Sequence, residues 1–196
     1  MITAAVLRDR RIAAKHTDDP DLVEAERLKA RLARARDKRV PFYLSRDEFL
    51  AACRWKLGDQ YGRAARLLES SSEKRVKRIT QMAFACKDKE VEFELAGRLT
   101  ILRLLPGVGI GVASAILALC YPKRYAPLDA RAWSALFDER RSTFELADYR
   151  RYLMRLSELG AEVSAIDRKG GWSVQLVGYF AGGDDERRSA SRPESA

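Results

Sequence analysis

The segment Leu105-Pro106-Gly107-Val108-Gly109-Ile110-Gly111 constrains the fold of this chain more than any other. Proline inside a helix removes a hydrogen bond and clashes with the preceding turn, so Pro106 stops a helix running into it. Gly107 and Gly109 have no side chain and can take positive φ, which permits an abrupt turn and close approach to the backbone. A second helix restarts at once, with Val112, Ile116 and Leu119 apolar and Ala113, Ser114, Ala115 and Ala118 small enough for close packing. The pattern predicts a hairpin of two helices. The free amides and positive dipole end of the second helix suit an anion such as a phosphate. A plain αα-corner uses the same Gly and Pro residues, and that reading stays open beside the first.

The surrounding sequence has the same helical period. Asp19-Pro20 reads as an N-cap with proline at the first helical position, followed by a stripe of Leu22, Ala25, Leu28, Leu32 and Ala35 that ends at Pro41. Ser45 with Glu48, Ser70 with Glu73, and Ser142 with Glu145 have the spacing of capping boxes. The first opens a helix with Phe49, Leu50, Cys53 and Leu57 on one face, and the second one with Val76, Ile79, Ala83 and Cys86 inward. The third opens a helix with Leu146, Tyr149, Leu153 and Leu156 inward, stopping near Gly160. A helix from Lys89 to Leu104 turns Val91, Leu95, Leu99 and Leu102 to the core, and Trp172 to Phe180 is a last short element. Alternating strand patterns are scarce, so the fold class is all-α. Residues 1–18 read as an irregular N-terminal segment and residues 19–181 as one helical domain, its hairpin at 90–120. Residues 182–196, rich in Gly, Asp, Arg, Ser and Pro, read as a disordered tail.

At 46% hydrophobic and 33% charged residues, the chain has the composition of a globular protein. No apolar run reaches the roughly 18–20 residues that span a bilayer, and the first residues do not read as a signal peptide. A cytoplasmic location with no membrane partner is expected. Lysine and arginine outnumber acidic residues 37 to 28, and the net charge of +9 favours a polyanionic partner. Arg54, Lys56, Arg63, Arg66, Lys74, Arg75, Lys77 and Arg78 concentrate upstream of the hairpin, while Lys123, Arg124 and Arg131 follow it. Phosphate contacts from such residues position a protein without reading sequence. Cys53, Cys86 and Cys120 are too scattered to ligate a four-cysteine cluster, and His16 alone leaves no zinc signature. No metal centre is expected, and free thiols in a reducing compartment are.

Beyond the second hairpin helix lies Pro127-Leu128-Asp129. A glycine turn, a helix and a later aspartate suggest a dinucleotide fingerprint, which fails twice. Val112 holds the third glycine position, and the preceding residues are helical in period rather than a buried strand. Asp129 precedes the helical pattern Ala130–Phe137 and fits an N-cap. A carboxylate beside a bound phosphodiester has a second use, since it could do chemistry next to that phosphate. Both roles stay open. Glu90, Glu92 and Glu94 precede the hairpin, but none is assignable as a general acid.

The segment from Leu105 to Asp129 resembles the helix-hairpin-helix and Gly/Pro-Asp signature of the DNA glycosylase superfamily that includes endonuclease III and the adenine mismatch glycosylase. LPGVGIGVASAILAL followed by YAPLDARAW is closest to the mismatch-adenine branch. The resemblance implies a multi-helix glycosylase-like fold that binds double-stranded DNA through Gly107, Val108, Gly109 and Gly111. It also implies a monovalent cation at the hairpin carbonyls, with Asp129 as the catalytic aspartate. An extruded base needs stacking surfaces, for which Trp55, Tyr61 and Trp133 are the candidates. Three departures bear on the chemistry. The lysine of strand-cleaving members is Gly111 here, so the expectation is a monofunctional glycosylase without Schiff-base lyase activity. The iron–sulfur cysteines are absent. The usual Ser/Gln-rich wedge is replaced by Phe49-Leu-Ala-Ala-Cys-Arg-Trp-Lys56, so the damaged base recognised is not implied. A non-catalytic DNA-binding module with Asp129 as a cap, and a helical protein-interaction module, are the alternatives.

Overall fold

Amphipathic periods become packed helices over the residues described by a computed structural model of the chain, 2–14 and 19–182. In chain order these are α1 (Ala4–Ala14), α2 (Pro20–Lys38), α3 (Arg46–Leu57), a 3-10 turn (Gly58–Gln60) and α4 (Tyr61–Glu69). There follow α5 (Glu73–Ala85), α6 (Val91–Leu102), α7 (Ile110–Cys120), α8 (Ala130–Phe137), α9 (Leu146–Ile166) and α10 (Val174–Ala181). The all-α class holds, and the described residues include no strand. The helices sort into two groups. In one, α7 packs against α3, α2 and α6, with α5 on α6 and α4 on α3; in the other, α1, α8 and α9 surround α10. The Pro127-Leu128-Asp129 loop joins them.

Helix α7 is buried on every face, with only Gly111 of its residues not fully enclosed. A helix apolar all round belongs at the centre of a fold, and its alanines and Ser114 let α3 approach closely. Asp19 caps α2 as expected, its carboxylate accepting from the amides of Asp21 and Leu22. The Ser45–Glu48 capping box forms on α3. Glu48 also takes a two-pronged ion pair from Arg39, at 2.5 and 3.1 Å, although its own side chain is almost wholly buried.

Several expectations need correction. Residues 4–14 are helical rather than irregular: Leu7 is fully buried, and the Arg10 guanidinium donates to the carbonyls of Phe180 and Ala181 at the end of α10. One buried leucine leaves little periodicity to read, and docking against α9 and α10 supplies what local propensity lacks. Residues 15–18 and the tail from 183 onward lie outside the described residues. The cap of α5 is Ser72, not Ser70, because Ser72 also accepts from the helix, at Arg75 N–H. Glu73 instead accepts the amide of Arg46 across the fold, at 2.7 Å. The cap of α9 is Glu145, which forms a capping box with Asp148 in place of Ser142 and Glu145. Helix α9 runs through Gly160 to Ile166, since Leu159 and Val163 continue its buried stripe. Val91 is exposed at the start of α6, whose inward face is Leu95, Leu99 and Leu102. That helix ends at Leu102, where its last amides tighten to three-residue turns before Pro106 is reached.

Candidate functional site

Pro106 and Gly107 reverse the chain between α6 and α7. Gly107 sits at φ +77°, and a Cβ there would lie 3.1 Å from Leu67 and Leu68 of α4, so both conformation and space exclude a side chain. Gly109 differs from its expected role. It is extended, with φ −87° and ψ −179°, and caps α7 without any side-chain hydrogen bond. Among the described residues, no atom beyond its own chain neighbours lies within 4 Å of where its Cβ would be. The first turn of α7 carries no acidic residue, so its amides and dipole are not neutralised by this helix. Val108 is a correction: its side chain is in the core and its amide donates to Leu105 O at 3.1 Å, so neither faces outward as a phosphate donor.

The loop carrying Asp129 is fastened atom by atom to this turn. Ser114, one turn into α7, donates to Gly111 O and accepts from Leu128 N, both at 2.8 Å. Leu128 O accepts from Lys56 Nζ of α3 at 2.7 Å. Tyr149 donates to Ala126 O at 2.8 Å and Tyr152 to Pro127 O at 3.2 Å. Burial raises the pKa of both phenols, so they remain donors. Every carbonyl from Ala126 to Leu128 therefore has a named partner.

Asp129 closes the loop as the N-cap of α8. Its Oδ1 accepts from the amides of Arg131 at 2.9 Å and Ala132 at 3.2 Å. Its Oδ2 lies 3.8 Å from Lys56 Nζ, and Arg131 Nε lies 3.9 Å from Oδ1. Burial works to raise the carboxyl, but Lys56, the Ala132 and Arg131 amides and the Arg131 guanidinium outweigh it. The group is held below the usual carboxylate range. An ionised carboxylate at neutral pH can stabilise positive charge and orient water; it cannot serve as a general acid.

The remaining candidates separate. Arg131 is at the junction, whereas Lys123 and Arg124 follow the far end of α7, a helix about 16 Å long by its residue count. Arg124 is paired with Glu94 at 2.8 Å, and Glu94 is also bound by Arg98. Glu92 pairs with Arg150. Neither acid reaches Asp129 as a proton donor on these contacts. Trp55 is half-buried, its Nε1 donating to Asp21 O at 3.2 Å, and Tyr61 donates to Glu69 at 2.8 Å beneath the Arg54 guanidinium. Trp133 is core: fully buried against Phe137, Phe144 and Tyr152, it has no face left for an extruded base. A shallow depression of about 360 Å³ is lined by Phe137, Met154 and the arginines of α9. It lies by the C-terminal end of α8, whereas Asp129 is at the opposite end.

Lys56 and Ser114 are the residues that sequence reasoning did not place. Lys56 is visible in sequence as one cation in a basic cluster and as the end of the Phe49–Lys56 segment, and Ser114 only as a small packing residue. Nothing local points either of them at a loop so far along the chain. The described residues contain no helix long and apolar enough to cross a membrane and no group of three or more potential metal-ligating side chains. Comparison with protein families, with curated proteins and with solved structures gives no match to this chain.

Proposed function

We propose that this chain binds double-stranded DNA through the start of α7 and hydrolyses the N-glycosidic bond of a damaged or modified base, with Asp129 stabilising the sugar cation and orienting water. What carries the reading is the Ser114 bridge. One hydroxyl joins the first turn of α7 to Leu128, so an anion site and the ionised Asp129 are held in fixed relation. The net charge of +9 and the exposed Lys74, Arg75, Lys77 and Arg78 on α5 suit a polyanion. A monovalent cation suits the oxygen donors of the turn: the carbonyls of Leu102 and Leu105 each accept one amide and keep a second lone pair. Bound there, it would add positive charge facing phosphate.

Duplexes carrying alkylated, oxidised, deaminated or mismatched bases, incubated with wild type and Asp129→Asn, test the reading. Abasic sites formed by wild type alone are expected. Equal duplex binding by both proteins with no lesion processed would overturn catalysis and leave the second reading, a DNA-binding module. That reading rests on the two amides that Asp129 Oδ1 already satisfies. Absence of salt-dependent duplex binding would overturn both.

A further inference from the structure

Helix α9 turns Tyr149, Tyr152, Leu156, Leu159 and Val163 inward, where α1 and α10 pack on it. Arg151, Met154, Glu158 and Glu162 stand on its other face, exposed among the described residues, with Arg155 half-buried between them. Met154 keeps 61% of its surface in water. The charges on this face work against the helix that carries them. Arg151 and Arg155 are one turn apart, as are Glu158 and Glu162, and like charges four residues apart repel. The arginines come first and the glutamates last, the reverse of what the helix dipole favours. Arg155 does pair with Glu158 at 3.0 Å and with Glu162 at 3.4 Å, and Arg151 pairs with Glu139 at 3.0 Å. Pairs open to solvent contribute little, so they exchange partners at small cost.

We propose that two copies of this chain associate through α9, antiparallel about a twofold axis near the middle of the helix. The midpoint between residues 151 and 162 coincides with that between residues 155 and 158, and it falls between Leu156 and Ser157. A single axis there sets Arg151 against the partner's Glu162 and Arg155 against the partner's Glu158, and the symmetry repeats both pairs. The two helix dipoles then run in opposite directions, so the block of arginines on each copy faces the glutamate end of the other. Met154 is two to three residues from the axis, about 4 Å along the helix at its rise per residue, so the two methionines meet across it. Beside them is the depression of about 360 Å³, whose lining includes Phe137, Ala147 and Met154, and flexible thioethers fill such irregular apolar space well. A wholly acidic partner would meet Glu158 and Glu162, and a wholly basic one would meet the arginines. A chain carrying both blocks in the opposite order matches the face, and a second copy is such a chain. The proposal stands apart from the reading of Asp129, which is at the other end of α8 from the depression.

Sedimentation equilibrium of the full chain, from about 1 to 300 μM, tests the association. Wild type is expected to reach twice the chain mass reversibly as concentration rises. Two double variants locate the contact. Arg151→Glu with Arg155→Glu makes all four positions acidic, and Glu158→Arg with Glu162→Arg makes all four basic. Each variant alone should dimerise at least about 100-fold more weakly, because every pair across the axis becomes repulsive, and an equimolar mixture of the two should dimerise again. Met154→Cys supplies a measurement that does not depend on either reversal folding. A short bismaleimide should join two of its chains through position 154, as mapped by mass spectrometry, with wild type and its own thiols as the control. Wild type that stays monomeric over the whole range overturns the proposal. A dimer that both reversals leave intact overturns it as well, as do Met154→Cys chains that gain no link at 154, since the copies would then meet through another surface.

Discussion

Helices α7 and α8 begin at one junction and treat their first amides in opposite ways. Gly109 opens α7 with no side-chain cap, whereas Asp129 opens α8 with one oxygen accepting two amides. An uncapped N-terminus normally weakens a helix by about 1 kcal/mol. Helix α7 tolerates this because burial on every face holds it in place, while α8 is only partly buried and uses its cap. The contrast separates two duties. Under the proposed function the open turn would keep donors for an outside anion, and the closed turn anchors a carboxylate beside it. The same Ser114 hydroxyl ties them together.

Substitution at Asp129 has the largest expected effect, and it breaks the comparison at its capped end. Asn is as good a cap as Asp, so Asp129→Asn should leave the urea unfolding midpoint nearly unchanged while base release falls about 10²–10³-fold. Asp129→Ala should lose activity equally and about 1 kcal/mol of stability besides. Parallel losses of stability and activity across both variants would reduce Asp129 to a cap. The pH dependence follows from the depressed pKa. A carboxyl lowered in the folded state contributes fully above its unfolded value, about 3.9, and loses that contribution as pH falls through the folded value. Any wild-type stability advantage over Asp129→Asn should therefore be constant from pH 8 to 5 and shrink only below about 4.

Gly107→Ala comes next. A left-handed φ costs a non-glycine residue about 1–2 kcal/mol, and the contacts with Leu67 and Leu68 add to this, so a loss of about 2 kcal/mol or more in urea unfolding is expected. A loss below about 0.5 kcal/mol would mean that the turn can relax. Ser114→Ala follows at about 1–2 kcal/mol, since it leaves the buried Leu128 amide without its acceptor. Its sharper consequence is functional. If the bridge sets the position of Asp129 relative to α7, base release should fall by more than duplex affinity does.

Both of these helix starts are legible in the sequence, and the site they form is not. Pro106, Gly107 and Gly109 announce a turn by themselves, and Asp129 announces a cap, because both signals are local. The partners that turn them into a site are not local. Lys56 and Ser114 meet Leu128 only after α3, α7 and the loop have packed, and Tyr149 and Tyr152 reach the same loop from α9. Trp133 shows the same limit: an aromatic near Asp129 in sequence is a candidate for a pocket and for the core alike, and the structure puts it in the core. Capping boxes show the limit of local signals as well. Ser45 and Glu48 behaved as their spacing implies, but Ser70 lost to Ser72 and Ser142 to Glu145, since several residues of a loop compete to accept the same amides.

Gly109→Ala, with the smallest expected effect on the fold, is the cleanest probe of the open end. The backbone at 109 is extended and, among the described residues, no atom beyond its chain neighbours lies within 4 Å of the added methyl, so stability should change by no more than about 0.5 kcal/mol. The methyl nevertheless stands on the exposed face where a phosphate would approach the first amides of α7. If that face binds duplex, affinity should fall about tenfold, equivalent to about 1.4 kcal/mol, in fluorescence anisotropy at fixed salt. The salt slope should stay as it was, because no charge has been removed. Unchanged affinity would mean that the amides of α7 do not touch the phosphate, and the exposed cations of α5 would then have to supply the binding alone. A variant that folds normally and binds poorly would instead show why α7 is built with an uncapped start: burial makes the helix stable without a cap, and the amides remain for a ligand.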